Sequence, residues 1–136
     1  MNLAGRRTLI VLAVAAVVVL GIWQLLPTPI STDLSQVGQG RPAVVLAYEN
    51  FSPLGGEALT RLNAVRGEYE DRVVFALADL GTPNGQAFAN RYALHDGLAV
   101  VLAADGAVHS TGAVPTDPQA LRARLEGVLV PARPQS

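Results

Sequence analysis

Residues 8–26 form an uncharged apolar run, TLIVLAVAAVVVLGIWQLL, in which Gln24 is the one strongly polar side chain. As an α-helix, this run of 19 residues is about 28 Å long, which matches the roughly 30 Å hydrocarbon core of a bilayer. Trp23 suits the membrane interface, and Pro27 stops the helix from continuing. The sequence therefore predicts a transmembrane anchor at residues 8–26, and roughly 100 residues remain for a folded domain.

The charges around the anchor predict its orientation. Arg6 and Arg7 precede it, and the next basic residue is Arg41. Because basic residues stay on the cytoplasmic side, we expect residues 1–7 in the cytoplasm and the C-terminal domain outside it, in a single-pass protein of the cell membrane. Two alternatives stay open: a cleaved signal peptide, although no A-x-A-like site follows the run, and a twin-arginine export signal at residues 6–10. Each of them also places the domain outside the cytoplasm.

The composition excludes several functions. The chain has no cysteine, so neither a thiolate nor dithiol–disulfide chemistry is available. Beyond the anchor, eight arginines stand against eleven acidic residues, a net charge of −3, which argues against nucleic acid as a partner. Residues 38–40 (GQG) precede a strand and are no nucleotide fingerprint. Glu49, Asp79, His95 and Asp96 lack the spacing of metal ligands, so we expect no cofactor and no metal ion.

Beyond the anchor, the pattern predicts a linker and one α/β domain. Residues 27–42 are polar and contain Pro, Gly and Ser, so we expect a linker that lifts the domain off the membrane, with one ordered turn at residues 33–35. Residues 43–130 alternate between apolar runs of strand length and segments of helical periodicity, and residues 131–136 form a tail. The expected order is β-α-β-α-β-β-α, with strands at 43–48, 72–80, 98–103 and 107–113 and with helices that begin at Pro53, Thr82 and Pro118.

Four short motifs in this order resemble the thioredoxin family. They are Glu68-Tyr69 at the end of the first domain helix, Tyr92-Ala93-Leu94 before the third strand, Asp105-Gly106 at the hairpin, and Gly112 in the strand that follows. The resemblance covers about residues 41–129 and lacks the first strand and helix of a full-length thioredoxin. It implies a thioredoxin-like α/β core, with a mixed central sheet and flanking helices, behind the N-terminal transmembrane helix.

The resemblance aligns the run F-S-P-L-G with the W-C-x-x-C motif of the family, so neither cysteine position carries a thiol. Leu46 replaces the buried acid of the family, and Leu98 replaces its cis-proline. With no catalytic residue left, the resemblance implies a vestigial binding surface. Its members are Phe51 at the tryptophan position, Ser52 and Gly55 at the cysteine positions, and Pro53, Leu54 and Leu98.

We predict a non-catalytic protein-binding or accessory module of the bacterial cell envelope, because the family binds partner chains in a groove beside this loop. Two interpretations of Phe51 stay open: it contacts a partner, or it packs as a hydrophobic staple on the first domain helix. Ser52 is expected to cap that helix. The alternative functions are an enzyme without thiols that uses Ser52 and His95, and a structural protein that acts through its membrane helix.

Overall fold

The computed structural model describes residues 3–25 and 29–130. Helix α1 (Leu3–Leu25) has no buried residue. With a mean hydropathy of 2.5, it is the one helix in the described part of the chain that is long and apolar enough to cross a membrane. A signal sequence near an N-terminus meets the same criterion. The predicted end of the anchor at residue 26 and the tail at 131–136 lie outside the described residues.

The domain that follows has the predicted order, β-α-β-α-β-β-α. The second, third and fourth strands are shorter than the sequence predicts. Each of the three helices begins with a proline, as suits the first helical position, and the predicted helix start at Thr82 is the N-cap of its helix. The strands are β1 (Ala43–Tyr48), β2 (Val74–Asp79), β3 (Leu98–Leu102) and β4 (Val108–Ala113), and the helices are α2 (Pro53–Tyr69), α3 (Pro83–Arg91) and α4 (Pro118–Leu129).

The four strands form one mixed sheet in the order β2-β1-β3-β4. β1 and β2 are parallel, whereas β3 is antiparallel to both of its neighbours, β1 and β4. The register pairs Tyr48 with Asp79 at one end of the sheet, and Ala43 with Val74 and Leu102 at the other end. We call the first end, where β1 and β2 finish and β3 begins, the site end. The opposite end is the tether end.

Apolar side chains cover both faces of the sheet, which explains why the central strand β1 shows no polar alternation. On one face, Leu46 of β1 belongs to a core cluster with Leu62 of α2 and Leu125 of α4. On the other face, Val45 of β1 belongs to a second cluster with Ala89 of α3. Full burial of a leucine or valine side chain contributes about 1.5–3 kcal/mol. This packing holds β1 firmly and so fixes the start of the loop that follows it.

The segment ahead of β1 packs partly on the domain. Ile30 is buried, and Ser31 pairs with Ala76 of β2 as an isolated parallel bridge. A 3-10 helix follows at Leu34–Gln36, one residue later than the predicted turn. Part of the predicted linker therefore lies along the outer edge of β2.

Tyr69, at the end of α2, makes the stability of the fold depend on pH in the alkaline range. Its side chain is buried, and its hydroxyl donates to Glu126 Oε1 of α4 at 2.9 Å. Burial first, and then the hydrogen bond and the charge of Glu126, raise the pKa of Tyr69 above its ordinary value of 10.0. Because the folded-state pKa exceeds the unfolded one, this stabilisation is complete below pH 10.0 and is lost as the pH rises through the folded-state value.

We expect the free energy of unfolding of the wild-type protein to fall above about pH 10, and that of Tyr69→Phe to fall less over the same interval. Urea denaturation of both proteins at about pH 8 and about pH 11 measures the difference. An equal fall in the free energy of unfolding of the two proteins would show that Tyr69 is not the group responsible.

Candidate functional site

A four-residue turn joins β1 to α2. The amide of Ser52 donates to the carbonyl of Glu49 at 3.2 Å and closes the turn. Phe51 within it has φ = +65°, a left-handed conformation that costs a bulky residue about 1–2 kcal/mol. The side chain of Phe51 is 102 % exposed, and that of Leu54 in the first turn of α2 is 61 % exposed. We call residues 51–54 the Phe51 tip.

Asp96, in the loop between α3 and β3, holds this turn in place. Its Oδ1 accepts a hydrogen bond from the amide of Glu49 at 2.9 Å, and its Oδ2 accepts another from the hydroxyl of Ser52. Next to it, the amide of Gly97 donates to the carbonyl of Ala47 at 3.0 Å. Hydrogen bonds to a carboxylate are about twice as strong as neutral ones. Asp96 thus ties both ends of the turn to the loop before β3, and we call this arrangement the Asp96 clamp.

Two glycines allow the loops to approach this closely. A Cβ atom on Gly55 would collide with the carboxylate of Asp96 and would lie 3.1 Å from the ring of Tyr48. A Cβ atom on Gly97, which has φ = +86°, would lie 2.8 Å from Leu54 Cγ. Position 55 is where the thioredoxin resemblance places the second cysteine. The carboxylate of Asp96 therefore occupies the space that a thiol side chain there would need.

The structure gathers the residues of the predicted binding surface at the site end of the sheet. Phe51, Pro53 and Leu54 are exposed, Ser52 is half-buried, Gly55 is buried, and Leu98 is the half-buried first residue of β3. No peptide bond among the described residues is cis, so the backbone before Leu98 differs from the cis-proline loop of the family. The two loops that form the binding groove in thioredoxins nevertheless adjoin each other here.

Of the two interpretations of Phe51, the staple is wrong, and the expected cap at Ser52 is confirmed in position only. A hydrophobic staple requires Phe51 to pack on α2, but its side chain is fully exposed. Ser52 takes the N-cap position of α2, yet its hydroxyl makes no capping hydrogen bond, because it donates to Asp96 instead.

The structure also does not form the Ser52–His95 pair that a serine nucleophile would use. His95 is exposed, and the hydrogen-bond partner of the Ser52 hydroxyl is Asp96. Serine needs an adjacent base to become a nucleophile, and His95 does not take that place. The carboxylate that receives the Ser52 hydrogen bond is also bound, through its other oxygen, to the backbone amide of Glu49. The arrangement is that of a structural clamp. Among the described residues, no group of three or more His, Asp or Glu side chains is placed to hold a metal ion.

Asp96 is the site residue that sequence reasoning misses. It lies 44 positions from Ser52, and an acid beside His95 in a predicted loop is typical of a solvated surface. The one available signal is its place directly before Gly97, at the start of a buried strand, where the loop has to pass the end of β1.

The fold is similar to solved structures of thioredoxin-like proteins. Trxlp from Edwardsiella tarda EIB202 matches with a TM-score of 0.55 and 15 % identity, over 65 % of this chain and 85 % of that one. An uncharacterised thioredoxin-like protein from Clostridium perfringens matches with a TM-score of 0.59 and 16 % identity, over 71 % and 77 %. A malarial protein matches with a TM-score of 0.55 and 13 % identity, over 66 % and 99 %. No protein-family model and no curated protein matches the sequence. The predicted thioredoxin-like fold is confirmed.

Replacing Phe51 with glycine tests whether its side chain stabilises the domain. Glycine adopts φ = +65° without the Cβ penalty, and the exposed ring has no packing to lose. We expect Phe51→Gly to leave the free energy of unfolding unchanged or to raise it by up to about 1 kcal/mol, as measured by urea denaturation. A loss of more than about 1 kcal/mol would show that the ring packs on the domain.

Gly55 and Gly56 form a matched pair in the first turn of α2. A Cβ at position 56 has no neighbour within 4 Å, so Gly56→Ala should raise the free energy of unfolding by up to about 1 kcal/mol. Gly55→Ala should lower it by about 1–3 kcal/mol, because the new methyl group meets the clamped carboxylate. This loss should shrink in an Asp96→Ala background, where the colliding group is gone. Equal effects at the two glycines, or no coupling to Asp96, would contradict the clamp.

Proposed function

We propose that this chain is a membrane-anchored, extracytoplasmic thioredoxin-like module that binds a protein or peptide partner through the Phe51 tip and performs no dithiol chemistry. The observation that supports this most strongly is the exposure of Phe51, whose ring is 102 % accessible and whose backbone has φ = +65°. Glycine would occupy that position at lower conformational cost. The chain instead carries an aromatic side chain and a clamp that presents it.

The energetics of a tip of this kind favour binding. Moving a phenylalanine side chain from water into a partner contributes about 1.5–3 kcal/mol. A few aromatic anchors commonly provide most of the affinity of an interface. Because the Asp96 clamp already fixes the turn that carries Phe51, less conformational entropy is lost on binding than a mobile loop would lose.

The absence of cysteine from all 136 residues removes the reaction for which this fold is best known, and the hydroxyl of Ser52 donates to Asp96 and not to His95. The proposal of an extracytoplasmic location is supported by α1, which is long and apolar enough for a membrane span, and by Arg6 and Arg7 on one side of its apolar run. In the cell envelope, such a module would hold a partner protein beside the membrane or assist its assembly.

Site-specific photo-crosslinking in cells tests the proposal. With a photoreactive amino acid at position 51 of the full-length protein, we expect a discrete, reproducible protein adduct. The matched control is the same probe at position 108, since Val108 is also an exposed apolar residue, at 54 % accessibility, but lies on β4. Adducts from probes within α1 alone, and none from position 51, would contradict the proposal and would move the function into the membrane helix.

A further inference from the structure

The exposed apolar tip of an anchored protein can enter lipid or can bind another protein. The fold and the charges of the described residues distinguish these two cases for the Phe51 tip. On the basis of the proposed function, these residues also indicate the chemistry of the partner and the side from which it approaches.

The chain between the anchor and the domain is short. α1 ends at Leu25, Ile30 is buried in the domain, and Ser31 is paired with β2. From Leu25 to Ile30 there are five Cα–Cα steps, which span at most about 18 Å. The point at which the chain joins the domain therefore stays close to the end of the membrane helix.

That point of attachment is at the tether end of the sheet, opposite the Phe51 tip. Ser31 runs parallel to β2 and is level with Ala76, so the residues before it lie toward the start of that strand. A shallow pocket at this end is lined by Pro29 and Ile30 together with Arg41, which precedes β1, and Val73, which precedes β2.

The tip lies beyond the far end of the same strands. Asp79, which pairs with Tyr48, lies about 10 Å further along β2 than Ala76. The turn that carries Phe51 follows Tyr48. The strands thus carry the tip away from the point at which the membrane anchor joins the domain.

The charges beside the tip disfavour an anionic lipid surface. Glu49, within the turn, is exposed, and Glu57 on α2 has a side chain that is 67 % exposed. Arg61, one turn further along α2, is ion-paired with Glu57 at 3.5 Å and also donates to the carbonyl of Val114. A bilayer surface with anionic headgroups repels carboxylates and attracts unpaired cations.

We infer that the Phe51 tip binds a protein that approaches from the aqueous side and presents an apolar cleft flanked by Arg or Lys. The ring of Phe51 and the side chain of Leu54 enter the cleft. The carboxylate of Glu49 faces the basic flank. Lipid insertion of the tip is the competing outcome.

Distance measurements to the bilayer test the direction of approach. Because the chain has no cysteine, Phe51→Cys and Ala104→Cys each accept one fluorophore in the full-length protein. Ala104 is exposed and follows Leu102, which pairs with Ala43 at the tether end. In vesicles of phosphatidylethanolamine and phosphatidylglycerol that contain an acceptor-labelled lipid, we expect clearly higher energy transfer from position 104 than from position 51. Equal or higher transfer from position 51 would overturn the inference in favour of lipid insertion.

Charge reversal tests the chemistry of the partner. The Asp96 clamp uses the backbone amide of Glu49 and not its side chain, so Glu49→Arg leaves the clamp in place. We expect this variant to lower the yield of the photo-adduct from position 51 by about tenfold or more. Asp71→Arg is the matched control, because Asp71 is an exposed acid (79 %) at the tether end, and it should leave the yield unchanged.

The outcomes separate the two claims. No adduct from position 51 in the otherwise wild-type protein contradicts the proposed function and, with it, this inference. An adduct whose yield is the same with Glu49→Arg retains the proposed function and overturns the basic character of the partner.

Discussion

The carboxylate of Asp96 is the group on which the arrangement of the site depends. Its two oxygens accept hydrogen bonds from the amide of Glu49 and the hydroxyl of Ser52, and so they join the loop after β1 to the loop before β3. β1 and β3 are neighbours in a sheet that is packed on both faces, so each loop is attached to a rigid strand. Because the clamp connects the turn to these strands, Phe51 is held in one defined position that points to solvent.

The same interaction leaves no space for a second thiol at this loop, in addition to the absence of cysteine from the sequence. Where the thioredoxin resemblance places the second cysteine, Gly55 leaves room for the Asp96 carboxylate. Where it places the buried acid, Leu46 is fully buried in the apolar core. Introducing cysteines at positions 52 and 55 would therefore remove one donor to the clamp and create a collision with its acceptor. The site is organised around a carboxylate.

The fold could be predicted from the sequence because its signals are local. β1 is a continuous apolar run, and α2 and α4 each begin with a proline after a capping residue type, Ser52 and Asp117. The sequence predicts where the candidate site lies along the chain. It does not predict the geometry of that site, which depends on a contact between residues 44 positions apart. Ser52 matches the capping pattern equally well whether its hydroxyl bonds to α2 or to Asp96. No local pattern predicts the left-handed backbone of Phe51, which a distant carboxylate holds in place.

Amide hydrogen exchange at Glu49, followed by NMR on the full-length protein in nanodiscs, tests the Asp96 clamp most directly. We expect this amide to be protected in the wild-type protein and to exchange at least about tenfold faster in Asp96→Ala. The amide of Val45 within β1 should be unaffected, and Asp96→Asn, which keeps an acceptor oxygen, should retain part of the protection. A Glu49 amide that exchanges in the wild-type protein at the rate of an unprotected peptide would show that the Asp96 clamp does not form.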